Sequence, residues 1–190
     1  MIRELYVYAG WLEHQPLIGT VHCIYQRGKE VISFEFDDSW LLQHPGLLLD
    51  PSLQSCRGRQ YLPEGREMYG FMEDMAPDRW GRTLIQRREL IDARKENRSR
   101  RNLFPTDYIL GVHDKGRTGA IRVKLNPEGP FLADTDSLEA PPMTELRKLE
   151  QASLGFESED NPYEEKWFRQ LISPGSSLGG ARPKANVRKE

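Results

Sequence analysis

Between Thr20 and Phe36 the chain alternates twice, on either side of a short break. Val21, Cys23 and Tyr25 recur at every second position. Gln26-Arg27-Gly28-Lys29 interrupts the pattern, and Ile32, Phe34 and Phe36 then alternate with Ser33 and Glu35. A side-chain period of two belongs to a strand with one face buried. Glycine in the break supplies the positive φ that a tight hairpin needs. The two runs are therefore predicted to pair antiparallel. Leu5 to Ala9 alternates in the same way. So does Ala120 to Leu125, with Ile121, Val123 and Leu125 facing in and Arg122 and Lys124 facing out. Sequential hairpins of this kind predict a small antiparallel sheet or barrel.

The middle of the chain changes period. Met68, Phe71, Met72 and Met75 stand at i, i+3, i+4 and i+7, one apolar stripe of a helix. Pro77 interrupts and is expected as the first residue of a second helix, where its missing N–H costs nothing and Asp78 meets the positive helix end. Trp80, Leu84 and Ile91 continue the stripe until Arg94-Lys95-Glu96-Asn97-Arg98-Ser99-Arg100-Arg101, a run too polar for burial. A short element at Asp107–Gly111 and a turn at His113–Gly116 follow. Asn126–Met143, rich in Pro, Gly and acid, reads as a connector. Two helices are expected after it. Asn161-Pro162-Tyr163-Glu164 opens the second with a cap, a proline and a Glu three residues on. Its buried side is Trp167, Phe168, Leu171 and Ile172. The fold class is α+β: a β-rich unit with packed helices over 1–130, then a helical connector and a glycine-rich loop over 131–190.

Of the 190 residues 37% are apolar and 29% charged, enough for a modest core, and the formal net charge is -2. Binding to a polyanion would need a local basic patch. No apolar run resembles a signal peptide or a membrane span. Cys23 and Cys56 form no metal spacing, and a reduced, cytoplasmic chain is expected. HExxH, CxxC and GxSxG motifs are missing from the sequence. His14, His22, His44 and His113 are scattered and read as ordinary histidines. Asp37-Asp38 and Glu73-Asp74 read as solvated charge, because adjacent side chains diverge. The basic run 94–101 reads first as a solvated helix end and second as a phosphate contact.

The stretch GSSLGGARPK, Gly175 to Lys184, fits neither a Walker loop nor GxGxxG. It nonetheless holds what a phosphate loop requires. Gly179 and Gly180 let backbone N–H groups approach oxygen closely. Arg182 and Lys184 bring charge, and Ser176 and Ser177 bring hydroxyls. By composition alone a polar chain end is the first reading and a phosphate loop the second.

Three ordered stretches carry a family resemblance. Tyr69 to Arg82, YGFMEDMAPDRWGR, resembles the helix and "(D/E)xxPDxxGR" junction of HipA-family serine/threonine kinase toxins. Asp107-Tyr108-Ile109-Leu110-Gly111 and Gly119-Ala120-Ile121-Arg122 resemble the short helix and strand that follow there. Ser177-Leu178-Gly179-Gly180-Ala181-Arg182-Pro183-Lys184 is similar to the family's "S-x-x-G-A-x-x-K" loop. The resemblance spans these 190 residues but only the N-terminal part of the family's length. It implies a β-rich subdomain packed on a kinase-like fold and a loop that covers the phosphates of ATP, with Mg as the companion ion. Ser177, with Ser176 as its neighbour, would be the autophosphorylation site that silences the enzyme. Ser176, Ser177, Gly179, Gly180, Ala181, Arg182 and Lys184 would form the cofactor loop.

The implied partner is a HipB-like helix-turn-helix antitoxin, with DNA reached only through it. The lysine strand, catalytic aspartate and Mg ligands of such a kinase have no counterpart before Glu190. The chain alone is therefore expected to be inactive, with no catalytic residue and no tight cofactor of its own. Two alternatives stand beside the kinase segment. One is a stand-alone N-subdomain that binds and inhibits a separate kinase core. The other is an unrelated module whose basic helix touches nucleic acid.

Overall fold

The computed structural model describes residues 2–112, 114, 117, 119–132 and 147. Among the described residues nine elements run in the order β1 (Ile2–Ala9), β2 (Leu17–Gln26), β3 (Lys29–Phe36), α1 (Asp38–Gln43), β4 (Gln60–Tyr61), α2 (Gly70–Met75), α3 (Arg79–Lys95), α4 (Pro105–Leu110) and β5 (Ile121–Lys124). The α+β class expected from the sequence is what forms. The five strands make one antiparallel sheet in the order β4-β3-β2-β1-β5, open rather than closed into a barrel. The chain divides into two compact units. Met1–Met75, Phe104–Thr106 and Gly119–Asp134 make the sheet unit. Ala76–Leu103 and the described residues of 107–117 belong to the other.

In the sheet unit the predicted hairpin is β2–β3, paired from Gly19↔Phe36 to Gln26↔Lys29. Arg27 and Gly28 form its two-residue loop, both at positive φ (50° and 76°). That is the conformation whose twist matches the strands. Ile18 is an extra residue in β2, because Val7 pairs with Gly19 while Tyr8 pairs with Leu17. At this bulge the strands come very close. A Cβ on Gly19 would lie 2.3 Å from the Glu35 carbonyl oxygen and 2.6 Å from the Phe34 ring.

The buried face carries Leu5, Val7, Val21, Cys23, Ile32, Phe34, Phe36 and Val123. The expected apolar stripe Met68, Phe71, Met72 and Met75 is buried in full, with Tyr69 beside it. Phe34 sits at the hub of this core. Its ring lies edge-on to Phe36 at 4.9 Å, to Phe71 at 5.5 Å and to Tyr69 at 6.2 Å. Edge-to-face packing of this kind adds to the area term. The Tyr69 hydroxyl donates to the Gln60 carbonyl at 2.6 Å, and burial pushes its pKa up to about 12.

Two readings of chain direction need correction. Leu125 does not face in; it is 51% exposed, since β5 ends at Lys124 and the chain turns about Asn126. Pro77 is not the first helical residue. Asp78 takes the N-cap of α3 with extended backbone, φ -70° and ψ -175°, so the proline stands one place outside. The Asp78 side chain makes no capping hydrogen bond, and the helix begins at Arg79 because the extended backbone of Asp78 separates it from the proline.

The second unit is built on α3. Trp80, Leu84, Ile85 and Ile91 are its large apolar buried positions. Ile85 packs with Tyr108 and Val112, and Leu103 lies against that cluster. Gly111 permits the contact, because a Cβ there would lie 2.7 Å from Ile85 Cδ1. Arg117 is buried and donates to the carbonyls of Ile109 and Val112. Burial pulls its pKa down to about 10, against the opposing pull of Asp114.

Candidate functional site

The seven residues expected to hold ATP phosphates (Ser176, Ser177, Gly179, Gly180, Ala181, Arg182 and Lys184) lie outside the described residues. So do the helix expected after Asn161 and the turn residue His113. The structure does describe the other two stretches of the resemblance.

The Glu73–Arg82 stretch forms the end of α2, a short junction and the start of α3. Within α3's unit, the Arg82 backbone N–H donates to the Asp78 carbonyl at 2.9 Å. Its guanidinium reaches back to the Pro77 carbonyl at 3.0 Å and lies 5.1 Å from the Tyr108 ring centroid. Gln86 donates to the Tyr108 hydroxyl at 2.8 Å. One arginine thus ties the proline turn to the first turn of α3 and to the aromatic of α4. This use of the PDxxGR residues is structural.

The basic run has a partner that sequence periodicity concealed. α3 ends on Asn97 in the left-handed region, φ 49°, with Arg98 N–H on the Ala93 carbonyl and Asn97 N–H on the Arg94 carbonyl. That is a Schellman-type stop, with asparagine standing where glycine is usual. It turns Arg98 back along the helix to Glu89, whose carboxylate is 4% exposed. Arg98 contacts Glu89 through both terminal nitrogens. Arg101 gives it the backbone N–H at 2.9 Å, Nε at 3.1 Å and Nη2 at 3.0 Å. The Arg98 hydrogen bond, with those of Arg101, outweighs desolvation and holds the Glu89 carboxyl down at about 2. The signal was available: Glu89 lies four residues after Ile85, on the buried side, and arginines follow nine and twelve residues later. Two cations of the run are thereby paired within the chain, Arg98 with Glu96 as well as Glu89.

On the sheet unit, buried polar groups gather in three places. Asp50, 4% exposed, accepts from Ser52 N–H at 2.8 Å, from the Ser52 hydroxyl and from Phe71 N–H at 3.2 Å. Burial pushes its carboxyl up, but these bonds together with one from Gly70 bring it below the ordinary carboxylate range. Thr106, fully buried, donates its N–H to Glu30 at 3.1 Å and its hydroxyl to the same carboxylate. Arg3 and the Tyr25 hydroxyl meet that threonine oxygen at 3.4 and 3.2 Å. Burial raises the Tyr25 pKa. The third place is the outer face of the sheet, where His22, 7% exposed, lies among Glu4, Glu35 and Arg59. His22 is a strand histidine, in β2, with carboxylates on both neighbouring strands.

The carboxylate pairs are likewise employed. Asp37 caps α1, accepting from Ser39 and Trp40 N–H, Asp38 pairs with Arg57, and Glu73 pairs with Arg66. Among the described residues no group of three or more His, Cys, Asp or Glu is placed to hold a metal ion, and no helix is long and apolar enough to cross a membrane. Cys23 and Cys56 are free thiols. Comparison with models of known families, with curated proteins and with solved structures gives no match.

Proposed function

We propose that this chain is the N-terminal, ATP-loop-bearing segment of a HipA-like serine/threonine kinase toxin, and that these 190 residues transfer no phosphate by themselves. The observation that carries the reading is the order of three stretches along one chain: Tyr69–Arg82, then Asp107–Arg122, then Ser177–Lys184. The geometry of the first two supports it, in that each corresponds to the kind of element the resemblance calls for. α2, the proline junction and α3 come first, then α4, then β5 behind Gly119. An α+β unit with an antiparallel sheet also suits the family's N-terminal subdomain.

In this reading the amides of Gly179, Gly180 and Ala181 line the phosphates of ATP, and Arg182 and Lys184 offset their charge. Phosphate on Ser177 adds a charge of about -2 beside them and drives the loop away. The remaining catalytic parts would come from a kinase core. The partner would be a helix-turn-helix antitoxin in the cytoplasm, with DNA contacted through it.

With Mg and ATP, the 190-residue chain is expected to release no phosphate and to acquire none on Ser177, as read by radiolabel and mass spectrometry. Joined to the kinase core encoded downstream, it is expected to label Ser177 and to lose that label in S177A. Labelling of the chain alone in a kinase-free preparation would overturn the reading. So would coding DNA beyond codon 190 that holds no kinase core, in frame or in a neighbouring gene.

A further inference from the structure

Charge is unevenly divided along this chain. Between Ala76 and Leu103 stand nine arginines and lysines against four acids, a net charge of +5, whereas the whole chain has a formal net charge of -2. The rest therefore sums to -7. The positive excess lies on the surface. Arg79, Arg88, Arg94, Lys95, Arg100 and Arg101 are exposed, while Glu89 is buried and Asp92 half-buried. Internal pairing does not remove this excess, because every carboxylate of the segment is already counted in the +5. Attraction at a distance depends on that sum, whichever cation meets whichever acid.

The end of the segment is also held in shape. Arg98 and Arg101 both bind Glu89, so the turn after Asn97 lies back along the last turns of α3. Ser99 and Arg100 are strung between those two fixed points, and both are exposed. Ordering Arg100 for a ligand therefore costs less entropy than in an open chain. Arg94 and Lys95, in the last turn of the helix, offset its negative end. From Glu89 to Lys95 is only about 9 Å of helix, so the cations are dense there. Eight of the nine are arginines, whose planar fork matches phosphate oxygens two at a time. Asn97, Ser99 and Asn102, exposed between them, are neutral donors of the kind that also meet phosphate and sugar. None of the exposed large apolar side chains falls in this segment, and a helix lying in a membrane surface needs several.

We infer that α3 and the Arg98–Arg101 turn form a binding surface for the phosphodiester backbone of a nucleic-acid duplex, without preference for base sequence. This contact is direct, in addition to the one through an antitoxin, and it stands or falls apart from the kinase reading. Phosphate contacts of this kind position a protein on a duplex and carry no sequence information.

The test is fluorescence anisotropy of labelled DNA and RNA duplexes with the 190-residue chain, freed of nucleic acid. Binding of either duplex supports the proposal, and the tighter of the two names the source of the phosphodiester. With three phosphates neutralised, affinity is expected to fall about 40-fold between about 50 and 200 mM NaCl. The variant R94Q/K95Q/R100Q leaves Arg98 and Arg101 on Glu89 and is expected to bind about tenfold more weakly or worse. The variant K29Q/R57Q/R66Q takes the same charge from the sheet unit and is expected to bind as the wild type does. Equal losses in the two variants would overturn the site, since net charge alone would then account for binding. So would binding to neither duplex, or equal affinity for poly-glutamate or for phosphatidylserine vesicles. If the first variant fails to fold, R100Q takes its place: a loss of about threefold supports the proposal, and an unchanged affinity overturns it.

Discussion

Asp50 and Glu89 are buried to the same extent, each 4% exposed, and each fastens a helix end. They are neutralised by opposite means. Asp50, in the sheet unit, is met by neutral donors: the N–H and hydroxyl of Ser52 beside it and the Phe71 N–H at the start of α2. Glu89, in the second unit, is met by two guanidinium groups beyond the end of α3. The difference lies in what each leaves behind when it is removed. Apart from the Ser52 hydroxyl, the donors around Asp50 are fixed in the backbone, and the Phe71 N–H bond is buried. The guanidinium of Arg101 rides on a long side chain already 60% exposed, so it can turn to water.

Removal of Asp50 should therefore break the comparison most sharply. Asp50→Ala is expected to cost about 3 kcal/mol, because it strands buried donors that cannot move. Glu89→Ala is expected to cost less, about 2 kcal/mol, even though more bonds are lost. Truncating one partner of a fully enclosed ion pair costs more than that, but these arginines have a way out. Urea midpoints of the two variants measure both effects, and a larger loss at Glu89 would refute the explanation.

Acid gives the next effect. Both carboxyls are held below their unfolded range of about 4, Glu89 at about 2. A depressed folded value means that the stabilisation is complete above the unfolded pKa and lost as pH falls through the folded one. Stability of the wild type is expected to fall between about pH 4 and 2, and the fall should be shallower in Glu89→Gln. The smallest effect is that of salt. Raising NaCl to 1 M should shrink the penalty of Glu89→Ala by on the order of 0.5 kcal/mol and leave that of Asp50→Ala unchanged, since only the first involves charges near water.

These two sites also show how far the sequence could be read. The hairpin was legible because a period of two and a glycine at the break have one common solution. The stripe Met68–Met75 was legible for the same reason at period 3.6. Glu89 was not, because a charged residue on an apolar stripe looks like an error in the period until its partners are found, and those partners lie past the helix end. Nor was His22, whose surroundings come from β1, β3 and the approach to β4. Such a site is a product of register, and register is set by the whole sheet. The strand β4 and helix α1 went unread: a two-residue strand has no period to detect, and a six-residue helix carries little more than the Asp37 cap. The candidate phosphate loop was legible as chemistry alone, since glycine, hydroxyl and cation are named by sequence while their arrangement is not.

Gly19 has a consequence for how this sheet can change over generations. Gly28 is kept for its φ, which asparagine can also adopt, with no atom within 4 Å of where a Cβ would lie. Gly19 is kept for space, with the backbone of β3 standing where any Cβ would go. Every single-nucleotide change that alters this residue adds a side chain the bulge cannot admit, so the position is closed to drift unless two strands move together. The residue with the least chemistry in β2 is thus one whose replacement the sheet cannot absorb without moving.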